Sequence, residues 1–320
     1  MLKKKYFLIA SLLLVFLLIS AVSCNNKDVI TGDWGWIGGT EGLFVSFVPD
    51  QPPVSVLSGG NEPFFITVQL ENQGEYDIKA DEVLTTVYGF DYKAFNIEQE
   101  SKYLTEPIIG KKEEADIIIQ GDQVQIDYEA NYMDVLPYQQ PFDISVNYCY
   151  RYQTRAGIQL CLKQTPRERT KETECIISNT ELDFGSSAAP VQISAPSQRP
   201  TGKNEISVTF TISNVNAGSI YSSDFIKSGV CMDNRDYANK AYVVVNFASG
   251  DIPITCPKLS NSNSGEVKLI EGKTTITCNI DTTNVQSTAF EKPLSIAIDY
   301  AYKDSIIQAI TIEKSYDEGT

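Results

Sequence analysis

The sequence predicts an all-β protein, two tandem β-sandwich domains behind an N-terminal export signal. Three observations carry this reading. Short segments alternate apolar and polar residues, as in Phe65-Ile66-Thr67-Val68-Gln69-Leu70, Asp143-Ile144-Ser145-Val146-Asn147-Tyr148, Ile206-Ser207-Val208-Thr209-Phe210-Thr211-Ile212 and Ser295-Ile296-Ala297-Ile298-Asp299-Tyr300. A period of two, rich in Val, Ile, Thr and Tyr, marks half-buried strands. Clusters of Gly, Pro, Asn and Ser separate these segments, as between the strands of a sandwich. The third observation is the order of the segments, which repeats once along the chain.

The first element is an address. Lys3, Lys4 and Lys5 precede an apolar run from Tyr6 to Val22, the form of a secretory signal. Ala21-Val22-Ser23-Cys24 resembles a bacterial or archaeal lipobox, which implies cleavage after residue 23, lipidation of Cys24 and a membrane lipid as partner. The alternative is an uncleaved anchor helix of about 17 apolar residues, oriented with its lysines inside. Either reading places the rest of the chain at the extracytoplasmic face of the cell membrane. Residues 24–40 then form a polar, Gly-rich tether. Its Trp34 and Trp36 either sit at lipid headgroup level or, the preferred reading, cover the base of the first domain.

The repeat sets the domains. Ile66–Asn72 aligns with Val208–Asn214 at an offset of 142, and Pro141–Tyr150 aligns with Pro293–Tyr302 at an offset of 152. Between them Gln125–Tyr128 aligns with Thr275–Cys278, in the same order. Two copies are too few for a solenoid, so tandem sandwiches are expected at 41–172 and 173–317. The stretch from Asp91 to Gly110 leaves room for a short helix.

Each copy carries an early strand that runs into a turn, in the first as Glu71-Asn72-Gln73-Gly74. This resembles Ig-like domains of the CARDB type. The opening Gly42–Phe47 with Pro52-Pro53 also resembles two-domain lipoproteins of small-genome archaea. The resemblance implies Ig-like sandwiches used for adhesion, scaffolding or ligand display, and it brings no catalytic residues.

Apart from Cys24 there are six cysteines, Cys149, Cys161, Cys175, Cys231, Cys256 and Cys278. An even number in an exported chain implies disulfides. The apolar positions Ile144, Val146, Tyr148 and Ile158, Leu160, Leu162 put Cys149 and Cys161 on the opposite face. With a turn near Arg155 they would face each other across a hairpin. Cys256 and Cys278 share the parity of core positions and are expected to join the two sheets of the second domain. Cys175 with Cys231 remains. A boundary within Pro166–Thr173 leaves each domain an even count.

Composition excludes several chemistries. Histidine is absent, which removes Ser-His-Asp and Cys-His catalysis and histidine-ligated metal. A net charge of −15 without a basic patch argues against nucleic acid. Neither Glu113-Glu114-Ala115-Asp116 nor Asp233-Asn234-Arg235-Asp236 has the alternating spacing of a calcium loop. Tyr148, Tyr150, Tyr152, Tyr300 and Tyr302 read as a sugar platform or, preferred, as core with hydroxyls at the rim. The segment Tyr92–Lys112 is the expected ligand-binding excursion. The expectation is therefore a membrane-anchored surface protein without cofactor or enzymatic activity, serving adhesion, docking to an envelope or surface protein, or envelope assembly. The alternative is a small-ligand or carbohydrate-binding lipoprotein serving a transporter or hydrolase.

Overall fold

The computed structural model describes residues 34–168, 175–177 and 182–315; the signal segment 1–23, Cys24 and most of the expected boundary stretch lie outside them. The alternating segments all form strands. In the first copy these are β1 (Leu43–Phe47), β2 (Ser55–Leu57), β3 (Phe64–Asn72), β4 (Val83–Tyr88), β5 (Ser101–Tyr103), β6 (Lys112–Glu114), β7 (Ile117–Ile119), β8 (Gln123–Ala130) and β9 (Gln140–Leu162). The second copy supplies β10 (Phe184–Ser186), β11 (Val191–Pro200), β12 (Glu205–Asn214), β13 (Ser219–Tyr221), β14 (Lys240–Phe247), β15 (Ile254–Thr255), β16 (Ser264–Lys268), β17 (Lys273–Asp281) and β18 (Phe290–Glu313). Between Asp91 and Gly110 the chain forms turns and the short β5, not the helix for which the sequence left room.

Two small sheets, β1-β3-β8 and β11-β12-β17-β15, contribute apolar faces to one core with a nine-stranded sheet. That large sheet runs β16-β14-β18-β9-β4-β5, with β2, β10 and β13 paired to its long central strands. Ile66, Val68 and Leu70 of β3 and Ile144 and Val146 of β9 are buried in the same core, as alternation requires. The fold is all-β, as the sequence predicts.

The long strands hold the main departure. No turn forms near Arg155. β9 continues straight, and every residue from Gln140 to Leu162 pairs antiparallel with β18. The first half of β9 lies beside β4 of its own copy, whereas its second half lies beside β10 and the first half of β18. β18 does the reverse: its first half pairs with β14, and its end pairs with β2 of the first copy. Each copy thus sends the last half of its longest strand into the other, an exchange within one chain. The local reason is visible in Gln153-Thr154-Arg155-Ala156, which has no Gly, Pro, Asn or Asp to make a tight turn.

This straight strand corrects the cysteine pairing. Cys149 and Cys161 do share the outer face, but twelve residues of extended strand separate them by about 40 Å. The bridges are Cys149–Cys231, Cys161–Cys175 and Cys256–Cys278. The first two replace the expected Cys149–Cys161 and Cys175–Cys231 pairs, and both cross the boundary expected at 172/173. Cys256–Cys278 forms as expected, but it ties the end of β15 to its neighbour β17 within one sheet instead of joining two sheets. The described residues form one compact unit.

Cys231 packs on the outer face of the large sheet in a second small core with Leu84, Cys149, Tyr221, Phe225, Ile226 and Ala301. A short 3-10 turn, Ser223–Ser228, supplies Phe225 and Ile226 to it. This segment covers Cys149 on the outer face of β9, while Met232 lies against Asn147 and Gly89 against Ser145, so Ile144 through Tyr150 are buried on both faces.

The repeat survives in detail at one latch. Asn72 ends β3: its Nδ2 donates to the Tyr76 carbonyl, and its Oδ1 accepts from Gly74 N and Tyr152 Oη. Asn214 ends β12 the same way, donating to Gly218 O and accepting from Asn216 N and Tyr302 Oη. The latch equates Tyr152 with Tyr302, two residues out of step with the sequence alignment, which had matched Tyr150 to Tyr302.

Candidate functional site

The tyrosine stripe is core. Tyr150 is 2 % exposed, Tyr152 and Tyr300 are fully buried, and Tyr150 faces Tyr302 across the β9–β18 ladder with ring centroids 5.7 Å apart. Burial pushes the Tyr150 and Tyr300 hydroxyls well above the usual phenol range, and it raises Tyr302 to about 12. The Tyr300 and Tyr302 hydroxyls are engaged in structural hydrogen bonds. Thr154 Oγ1 lies 3.1 Å from Tyr300 Oη and donates to the Val191 carbonyl at 2.6 Å.

The excursion Tyr92–Lys112 is mostly packed. Phe95, Ile97, Leu104 and Ile108 are buried, with Phe95 edge-on to Phe64, Phe90, Tyr132 and Phe142. Within it Asn96–Gln99 also lines a cleft of about 360 Å³ with Pro63, Glu129 and Asn131. Lys102 on its wall is already engaged: Nζ donates to the Asp127 carbonyl at 2.6 Å and sits 4.9 Å from the Tyr128 ring centroid.

The acidic clusters separate. Glu113-Glu114-Ala115-Asp116 forms the first strand and turn of the β6–β7 hairpin, with Ala115 and Asp116 at positive φ. Ile117, Ile118 and Ile119 on β7 are exposed, Ile117 by 67 %. Asp233 accepts from Lys303 Nζ and Tyr221 Oη, and the Lys303 bond foremost holds its carboxyl below the usual range. Among the described residues no three Asp, Glu or Cys side chains converge as metal ligands.

A second cleft, of about 300 Å³, lies outside the sites that the sequence predicts. Trp36 and Tyr76 line it together with Lys111, Gln153, Arg155 and Ser187. The expected tether is packed against the body from Trp34 onward. Trp34 lies across Gly157 of β9 and Gly185 of β10, which face each other in the ladder, and a Cβ on either glycine would collide with the indole. Trp36 stacks on Trp34 with planes 8° apart and centroids 6.2 Å apart. The two rings therefore cover a sheet face of the exchanged β9 half, not the base of the first copy. Glu75 fixes the segment: its carboxylate accepts from the backbone N–H groups of Ile37, Gly38 and Ala188. The signal that marks the place is Gly157 inside a long strand, where a missing side chain admits close approach.

The polar wall is equally fixed. Asp299 accepts from Arg151 and from Gln153 Nε2, and Gln153 Oε1 accepts from Arg155 Nε at 3.0 Å. Burial raises the Tyr76 hydroxyl, with Glu82 adding to it.

No protein-family model and no curated protein matches the chain. Among solved structures it is similar to the secreted serine protease VesC from Vibrio cholerae at a TM-score of 0.18 and 7 % identity, covering 84 % of this chain and 53 % of that one. The chain spans about half the length of that protein, and a likeness this slight carries no argument. Among the described residues no helix is long and apolar enough to cross a membrane.

Proposed function

We propose that the protein is an extracytoplasmic display protein, tied to the membrane through Cys24 or its N-terminal segment, that presents a stiff β body to an envelope or surface partner and catalyses nothing. The observation that carries the reading is the set of three disulfides in an all-β body whose two copies share a sheet. Disulfides persist in oxidising surroundings, which fits an extracellular protein. Cys149–Cys231 and Cys161–Cys175 clamp both ends of the exchanged half of β9, and stiffness of this kind serves spacing and presentation. The exposed Ile117–Ile119 offers apolar contact area. The tyrosine stripe lies in the core and lines neither cleft, which removes one support for the transporter- or hydrolase-associated alternative.

The test uses the full chain purified in detergent from its own membrane. Its intact mass should show a diacylated N-terminus at Cys24, and Cys24→Ala should leave an unlipidated precursor. The native protein should also bind isolated envelope material saturably. A native chain that starts elsewhere and carries no lipid would remove the anchoring, and turnover of a substrate abolished by changing one carboxylate would remove the non-catalytic reading.

A further inference from the structure

We infer that the cleft between Trp36 and Arg155 is a binding site for the end of a neutral, pyranose-based glycan. The inference stands on the geometry of the cleft and does not rest on lipid anchoring or on the protein partner proposed above.

Sugar recognition needs an aromatic face for the apolar C–H side of the ring and fixed polar groups for its hydroxyls. Trp36 supplies the face. It is braced from behind by Trp34, which is seated on two glycines, so little rotamer freedom remains to be lost on binding. Arg155 supplies the donors. Its Nε is spent on Gln153, which Asp299 holds in turn, so the guanidinium is oriented while its Nη groups have no hydrogen-bond partner among the described residues. Glu113 and Glu114, also on the lining, supply acceptors.

Charge selects the class of glycan. Lys111, Lys112 and Arg155 on the lining face Glu75, Glu113 and Glu114, so the cleft has no net charge. The whole chain carries −15, which repels uronates and sialylated ends. Size selects the length: about 300 Å³ is the lower end of the range for small-molecule sites and takes one or two sugar rings.

The chain has two Trp in all, and both are here, so tryptophan emission, excited at the red edge where the 17 tyrosines do not absorb, reads this site. The full chain, held in a detergent without a sugar headgroup, is titrated with a panel of neutral hexose and N-acetylhexosamine disaccharides and with matched uronate disaccharides. At least one neutral disaccharide should shift the emission saturably, with a Kd of about 1 mM, as expected for a small open site. By calorimetry, Trp36→Ala should abolish that binding, and Arg155→Ala should weaken it roughly tenfold. Both variants should keep the three disulfides by peptide mapping. No emission change with any neutral disaccharide, or undiminished binding in Trp36→Ala, overturns the assignment. Uronates binding more tightly than their neutral counterparts overturns the charge argument. Envelope binding that persists in Trp36→Ala leaves the display reading standing by itself, so the two can fail separately.

Discussion

The two copies place different residues at the same point of the fold. In the first, Tyr128 of β8 lies opposite Ile66 of β3; in the second, Cys278 of β17 lies opposite Val208 of β12. Tyr128 reaches across the core, donating to the Thr85 carbonyl at 3.0 Å with Thr85 Oγ1 2.8 Å from its Oη. Cys278, buried in the same core, instead bonds Cys256 on the neighbouring strand segment. One copy is held there by a polar contact between sheets, the other by a covalent link within a sheet. A buried hydrogen bond typically contributes about 1 kcal/mol and a disulfide about 2 to 4 kcal/mol. The difference teaches that the copies share a backbone plan and not a common source of stability.

The largest effect should come from the place the copies share. Tyr150 lies at the middle of the β9–β18 ladder against Tyr148, Tyr152 and Tyr302. Tyr150→Ala should cost about 3 to 5 kcal/mol, as for other large buried aromatic truncations. Because exchanged strands make the copies one body, calorimetry should still show a single transition at a lower temperature. Two resolved transitions would mean that each copy folds alone and would break the comparison as drawn.

Next in size is the covalent link. Replacing Cys256 and Cys278 together by Ala should lower stability by about 3 kcal/mol, the chain-entropy expectation for a bridge closing a loop with a sequence separation of 22. Urea unfolding without reductant reads this directly, and an unchanged midpoint would show that the bridge adds nothing to the second copy.

The two latches should differ as well. Asn72 is fully buried and also donates to the Ile108 carbonyl, a bond with no counterpart at the partly exposed Asn214. Asn72→Ala should therefore cost about 2 kcal/mol and Asn214→Ala about 1 kcal/mol. Equal losses would show that burial of the first latch is not what matters.

Much of this was legible in the sequence, and the failures share a cause. Period-two alternation found the strands, and it correctly put Cys149 and Cys161 on the face away from Ile144 and Leu160. The same alternation cannot distinguish a hairpin from one straight strand, since both keep the period. The deciding information is negative, the lack of turn residues between Tyr152 and Gly157. The Cys149–Cys161 pairing stands or falls with that turn. Trp34 and Trp36 stand out in the sequence, but the seat of Trp34 on Gly157 and Gly185 depends on pairing between strands distant in sequence, which no local pattern encodes. The Asn–Tyr latches are of the same kind: the sequence marks Asn72 as the end of a strand, while its partner Tyr152 is eighty residues away.

The smallest effect sharpens the comparison through pH. Tyr128→Phe removes the inter-sheet hydrogen bond and little volume, so it should cost about 1 kcal/mol near neutral pH. Desolvation holds the Tyr128 phenol above the usual range, with hydrogen bonding to the Thr85 side chain and the Lys102 backbone opposing the shift only in part. A tyrosine raised in the folded state keeps its proton while the unfolded chain, with its ordinary value near 10, releases it. Above pH 10 the wild-type chain therefore loses stability through Tyr128, and the loss grows until the folded phenol itself ionises. Phenylalanine has no proton to release, so the variant escapes this part of the loss. The gap between wild type and Tyr128→Phe should narrow as pH rises from 8 to 10.5, measured by urea unfolding at each pH. A gap that stays constant over that window would mean Tyr128 ionises as easily folded as unfolded, and the first copy would then lack the sealed polar contact that sets it apart from the second.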